Sequence, residues 1–134
     1  VTSSDTGRIS ASGRMVLIVD DDPMIRHAYQ AVMPDQLGVK VLEAADGMEA
    51  VDKLLTQRVD LVVLDIQMPR LNGFEVLSFI HHHPAIRHLP VVIVTSLRGT
   101  RIREKTDRLG IQYVLSKPLD LPELINAVRA SLCY

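Results

Sequence analysis

Three consecutive aspartates, Asp20, Asp21 and Asp22, follow the apolar run Met15 to Val19, and another, Asp65, follows the run Leu61 to Leu64. Thr95 and Ser96 end the run that starts at Val91, while Ser116, Lys117 and Pro118 come after Tyr113 to Leu115. If these runs are neighbouring strands, acids, hydroxyls and one amine meet at a single sheet edge. Carboxylates gathered so closely repel one another, and a proton or a cation must relieve the repulsion. Oxygen donors of this kind suit Mg²⁺, which is held by one or two carboxylates, keeps several waters and shares an anionic phosphate with the protein. The chemistry within reach is phosphoryl transfer, with a carboxylate as nucleophile in an in-line displacement. Lys117 would then act as a point charge on the phosphoryl oxygens, and the Thr95 hydroxyl would donate to another.

Other charged residues have simpler expectations. Asp22 before Pro23 fits a helix N-cap followed by proline at the first helical position. His81, His82 and His83 are consecutive, so their side chains fan out around a helix and do not converge on one ion. A polar helix end leading to a turn is expected there, with His88 beyond Pro84. Residues 98 to 108 hold Arg98, Arg101, Arg103, Lys105 and Arg108 against only Glu104 and Asp107. That stretch is expected as a solvated basic helix face, or as a docking surface for an acidic partner or a second copy of the domain.

The elements that must position these groups follow from the hydrophobic pattern. Short apolar runs alternate with longer amphipathic stretches: Met15 to Val19 and Pro23 to Met33, Val39 to Leu42 and Gly47 to Gln57, Leu61 to Leu64 and Gly73 to His82. Val91 to Val94 with Thr100 to Leu109, and Tyr113 to Leu115 with Leu121 to Leu132, complete five strand–helix pairs. The short runs are continuous in Val, Ile and Leu, as in strands covered on both faces. A parallel sheet with helices on both sides follows. In the last helix Leu121, Leu124, Ile125, Val128 and Leu132 form one stripe. Asp120 with Glu123 supplies its capping signal.

Composition bounds the rest. The chain has 134 residues, enough for one domain with a real core, and 47% of them are hydrophobic. Its 15 basic and 16 acidic side chains give no excess of positive charge for general nucleic-acid or membrane-surface binding. No apolar run approaches the roughly 20 residues of a bilayer helix. The single Cys, Cys133, forms no internal disulfide, and a reducing, cytoplasmic setting is expected. Residues 1–13 are read as a flexible tail and 14–134 as the domain. No segment for output follows Tyr134, so a stand-alone domain or a piece of a longer chain is expected.

The segments VLIVDDDPMIR (16 to 26), LVVLDIQMPRLNGFEVL (61 to 77), VVIVTS (91 to 96) and LSKPLDLPELINAV (115 to 128) resemble the receiver domain of two-component response regulators. Asp65 with Met68 and Pro69 at plus three and four and Gly73 at plus eight is a specific pattern, as is Lys117-Pro118 after the last strand. The resemblance implies an α/β fold, a (βα)₅ doubly wound parallel sheet with flavodoxin-like strand order 2-1-3-4-5. It implies Asp65 as phosphoacceptor and Mg²⁺ at Asp20, Asp21, Asp65 and the backbone carbonyl of Gln67, with Asp21 the more direct ligand of the acidic pair. Thr95 takes the place of the switch hydroxyl and Lys117 that of the lysine that contacts the phosphoryl group. The implied donor is a phosphohistidine on a sensor histidine kinase or a histidine phosphotransfer protein. A downstream effector, or a homodimer through the fourth-helix, fifth-strand and fifth-helix face, is the expected output partner.

One position departs from the family. The switch aromatic ordinarily stands three residues before the lysine, where this chain has Val114, with Tyr113 one step earlier. Strand side chains alternate, so Tyr113 is expected on the opposite face. Two alternatives complete the expectations: a pseudo-receiver that only binds partners, and a haloacid dehalogenase-type phosphohydrolase using Asp20 and Asp22 as D-x-D, whose plus-four position is Met24 here.

Overall fold

In the computed structural model, which describes residues 12–68, 70–97 and 99–132, strand and helix alternate five times. The elements are β1 (Met15–Val19), α1 (Pro23–Leu37), β2 (Lys40–Ala44), α2 (Gly47–Thr56), β3 (Leu61–Leu64), α3 (Gly73–His82), β4 (Val91–Thr95), α4 (Thr100–Arg108), β5 (Tyr113–Ser116) and α5 (Leu121–Leu132). All neighbouring strands pair in parallel, in the order β2-β1-β3-β4-β5. The expected flavodoxin-like order is therefore the observed one. Most of the expected tail, residues 1–11, lies outside the described residues; Gly13 N–H donates to the Gly38 carbonyl at 2.9 Å.

The continuous apolar strands are explained by two cores, one on each face of the sheet. Val16, Ile18, Leu61, Val63, Val92, Val94 and Leu115 meet Tyr29, Met33 and Leu37 of α1 and Leu124, Val128 and Leu132 of α5. The alternate residues Leu17, Val19, Val62, Leu64, Val91 and Ile93 meet Ala50 and Leu54 of α2 and Val76, Leu77 and Ile80 of α3. Leu124 and Val128 are fully buried, and each such side chain contributes about 1.5–3 kcal/mol.

Several boundaries differ from the hydrophobic pattern for identifiable reasons. α1 continues past Met33 through Pro34 to Leu37, because Tyr29, Met33 and Leu37 recur at one helical turn and all are buried. Proline there removes one backbone donor, but burial of Leu37 holds the last turn. Gly38 then ends the helix at φ 71°, a left-handed cap that glycine adopts without strain, and its N–H donates to the Pro34 carbonyl. β2 is shifted to Lys40–Ala44 by its pairing with β1, and as an edge strand it exposes Lys40 and Glu43. β4 and β5 each gain a residue through the Thr95–Ser116 pair.

Helix starts obey the capping chemistry. Asp22 accepts from Met24 N–H at 2.9 Å with Pro23 at the first position, as expected. Asn72 and Glu75 form a reciprocal capping box on α3. Asp120 accepts from Glu123 N–H at 3.3 Å at the head of α5.

Candidate functional site

Residue alternation decides which groups face each other at the carboxyl ends of the strands. Asp20 continues the face of Val16 and Ile18, Asp65 that of Leu61 and Val63, and Lys117 that of Tyr113 and Leu115, all toward α1 and α5. Lys117 Nζ accordingly donates to Asp20 Oδ2 at 3.0 Å and to Asp65 Oδ2 at 3.3 Å. β1 and β3 flank the point where the strand order reverses, the crevice in which open α/β sheets bind ligands.

Asp20 and Asp65 are 2% and 4% exposed, whereas Asp21 is exposed. Asp20 Oδ1 accepts from Asp22 N–H at 2.9 Å, and Asp65 Oδ1 accepts from Gln67 N–H at 3.1 Å. Burial, then the nearby charge of Asp20, raises the Asp65 carboxyl above its ordinary value; the Lys117 charge and the Gln67 N–H pull the other way without cancelling the rise. For Lys117, burial disfavours the charged form, but the hydrogen bond and charge of Asp20 and then Asp65 more than reverse it, so the ammonium is held above its ordinary range. Two buried carboxylates that share a single, firmly cationic lysine, with the exposed Asp21 beside them, are an arrangement suited to a divalent cation and an anionic phosphoryl group.

The donor set fits such a cation. One carboxylate oxygen from each of Asp20, Asp21 and Asp65 lies within 4.8 Å of the others, the only such His, Cys or acid group among the described residues. Three hard oxygen donors, one of them open to solvent, match Mg²⁺ better than a softer metal. Gln67 is exposed, and its side-chain Oε1 accepts from Ser96 Oγ at 2.6 Å.

Thr95 reaches the same strand edge from the other face. It continues Val91 and Ile93, is 1% exposed, and its Oγ1 accepts from Leu97 N–H at 3.2 Å. Its carbonyl receives Lys117 N–H at 3.0 Å, so the hydroxyl-bearing strand end and the lysine are coupled through backbone. Tyr113 packs with the α1 and α5 core while Val114 packs on the Thr95 side, as alternation requires.

Other expected residues lie apart from the chemistry. Asp22 is turned to the head of α1, which removes it from a D-x-D pair with Asp20. His82 Nδ1–H donates to the Ser78 carbonyl at 2.8 Å, and the His83 ring packs on Phe79 at 5.5 Å between centroids. Arg98 lies outside the described residues. Arg101, Arg103 and Arg108 are exposed on α4 without an ion pair among the described residues, and Lys105 Nζ sits 4.4 Å from the centre of the Phe74 ring.

Two charged residues with structural roles, one of them in contact with the site, were missed by motif spacing. Arg26 Nη1 donates to the Asp20 carbonyl at 2.7 Å while its Nε donates to Glu43 at 3.0 Å. Its spacing of four from Asp22, one helical turn back toward the strand end, was the available signal. Asp46 caps α2 and also pairs with Arg70 at 3.0 Å, tying the stretch after β3 to the head of α2.

The model of the response regulator receiver domain matches residues 16–129. The chain belongs to the receiver domain family. This receiver domain is 29% identical over 120 residues to the protein PilG of Pseudomonas aeruginosa, covering 90% of this chain and 88% of that one. It is 28% identical over 119 residues to the polar-differentiation response regulator DivK of Brucella anthropi, covering 89% and 96%. Among solved structures, the chemotaxis protein CheY4 of Vibrio cholerae superposes with a TM-score of 0.82 at 27% identity, over 90% of this receiver domain and all of that chain (100%). The family is a signalling one, and its members act as phosphoacceptors in two-component systems. Among the described residues no helix is long and apolar enough to cross a membrane.

Proposed function

We propose that Asp65 accepts a phosphoryl group from a phosphohistidine of a sensor histidine kinase or histidine phosphotransfer protein, or from a small acyl phosphate. The observation that carries this reading is the Lys117 ammonium shared between Asp20 and Asp65 at 3.0 and 3.3 Å in a buried, acid-rich crevice. An Asp65 oxygen forms the new O–P bond in line with the breaking N–P bond, and the imidazole leaves with the electron pair. Lys117 exchanges one carboxylate for a phosphoryl oxygen and offsets the added charge. The Thr95 hydroxyl turns to donate to a second phosphoryl oxygen, releasing Leu97 N–H and moving the chain that leads to α4. That movement favours one of two arrangements of this region, which is how a local charge reaches a partner.

Asp21, Asp65 and the Gln67 backbone carbonyl would hold Mg²⁺, with Asp20 completing the acid set. When bound, Mg²⁺ neutralises the crowded carboxylates and aligns the phosphoryl oxygens. The domain thus catalyses its own phosphorylation and dephosphorylation without processing a separate substrate. The domain spans residues 14–134, following a tail at 1–13, and works in the cytoplasm. Its output surface is the face of α4, β5 and α5, where Arg101, Arg103 and Arg108, without ion pairs among the described residues, suit an acidic effector or a second copy.

The test is a phosphate-affinity gel with acetyl phosphate and Mg²⁺. The wild-type protein is expected to shift and Asp65→Asn to run unshifted. A shift that persists in Asp65→Asn sinks the assignment.

A further inference from the structure

Tyr29 is 1% exposed, and its buried hydroxyl has no hydrogen-bond partner among the described residues. A buried phenol oxygen without a partner carries a free-energy cost that phenylalanine would avoid. The ring lies in the core with Ile18, Leu61, Val63 and Leu124, on the face of the sheet that Asp20 and Asp65 continue. Its direction follows from helix geometry: Cα–Cβ bonds and long side chains lean toward the helix N-terminus. α1 begins at Pro23, three residues after Asp20, so the phenol leans toward the end of the helix that carries the acids. Burial, then the negative charges of Asp20 and Asp65, holds the hydroxyl above the usual phenol range, so it stays protonated and remains a donor. Asp20 has room to accept it. An ionised carboxylate offers about four lone-pair sites, and Asp22 N–H and Lys117 Nζ each occupy one.

We propose that the Tyr29 hydroxyl is a positioning group of the acid site, donating to Asp20 from the core side once that carboxylate turns from Lys117 toward a bound divalent cation. This rests on the reading of the site as Mg²⁺-binding and goes beyond it. The hydroxyl is left costly in the cation-free protein and satisfied in the loaded one, so binding recovers the cost. It touches neither cation nor phosphoryl group and acts only through Asp20.

Tyr29→Phe removes one oxygen and keeps the packed ring. Calorimetric titration of the whole unphosphorylated chain with Mg²⁺ is expected to show about 3- to 10-fold weaker binding by the variant. Without Mg²⁺ the variant is expected to melt at the wild-type temperature or above it. Equal Mg²⁺ affinities overturn the proposal, and so does a lower metal-free melting temperature, because the hydroxyl then already has a structural partner. A second measurement does not need the variant to fold. The chain has three Tyr and no Trp, so the tyrosine emission of the wild type reports on phenol hydrogen bonding. Quenching on addition of Mg²⁺ is expected, and unchanged emission counts against the role. Wild-type protein that binds no Mg²⁺ overturns the reading of the site itself; wild-type binding that Tyr29→Phe leaves unaltered overturns this inference alone.

Discussion

Gly73 presses so closely on Asp65 that a Cβ at position 73 would stand 2.5 Å from the Asp65 carbonyl oxygen and 2.6 Å from Ile66 Cα. The glycine at plus eight from Asp65 is thus a packing requirement: it lets the head of α3 sit against the end of β3. Its N–H donates to the Ile66 carbonyl at 2.9 Å and fixes that approach.

Gly73→Ala is therefore expected to destabilise the domain by about 1–3 kcal/mol, since backbone rather than a flexible side chain would have to yield. A urea melt measures this. The same variant should be phosphorylated more slowly by acetyl phosphate, because the displaced carbonyl carries the Asp65 side chain with it.

Replacing Asp65 by Asn is expected to stabilise the protein at neutral pH. The folded-state carboxyl titrates above the ordinary value of 3.8, chiefly through burial. Its contribution to stability is thus fully present below that value and is lost as pH rises through the folded value. Asn carries no such ionisation, so its advantage in urea melts should be full at pH 7 and shrink toward pH 4. An advantage independent of pH would contradict this cause.

Lys117→Met leaves two buried carboxylates without their cation. The expected loss is on the order of 3 kcal/mol at neutral pH in the absence of metal. Millimolar Mg²⁺ should restore much of it, and NaCl at equal ionic strength should not. Thermal melts in the two salts separate the outcomes.

Thr95→Ala removes the acceptor of Leu97 N–H and is expected to cost about 1 kcal/mol. Phosphorylation of Asp65 should persist; beryllofluoride, an acyl-phosphate mimic, is expected to shift the Leu97 amide of the wild type and not that of the variant. Thr95→Ser should retain the shift. Nuclear magnetic resonance of the amide reads the result directly.

Charge reversal at Arg101 and Arg103 should leave stability within about 0.5 kcal/mol, because both side chains are exposed and make no ion pair among the described residues. Effector binding, measured by surface plasmon resonance, should slow in association and lose its salt dependence. Unaltered association kinetics would remove α4 as the docking face.

Much of this molecule is legible in the chain. The bounds of β1, β3, α3 and α5 coincide with their apolar runs and caps, because continuous Val, Ile and Leu can only be covered on both sides and capping residues act locally. Asp65 and Lys117 announce themselves by their place immediately after such runs. Less visible were the extension of α1 past Pro34, which depends on burial of Leu37 against distant residues, and the extra length of β2, which depends on its ladder with β1. Arg26 and Tyr29 look like an ordinary polar residue and an ordinary aromatic of an amphipathic helix until α1 is laid on the sheet.

By itself, then, the sequence determined the alternation of elements, the acids and lysine at the strand ends, and the departure at Tyr113 and Val114. These are local properties, set by side-chain periodicity and by residues within a few positions of one another. Only the tertiary structure decided that Asp20, Asp65 and Lys117 share one face while Thr95 arrives from the other, and that a buried phenol lies in the core of that first face. Alternation fixes which side chains of a strand go together, but the strand order and the helices on each face assign those sides to a common space. That assignment is made by contacts between residues as far apart as Asp20 and Lys117, and no local pattern contains it.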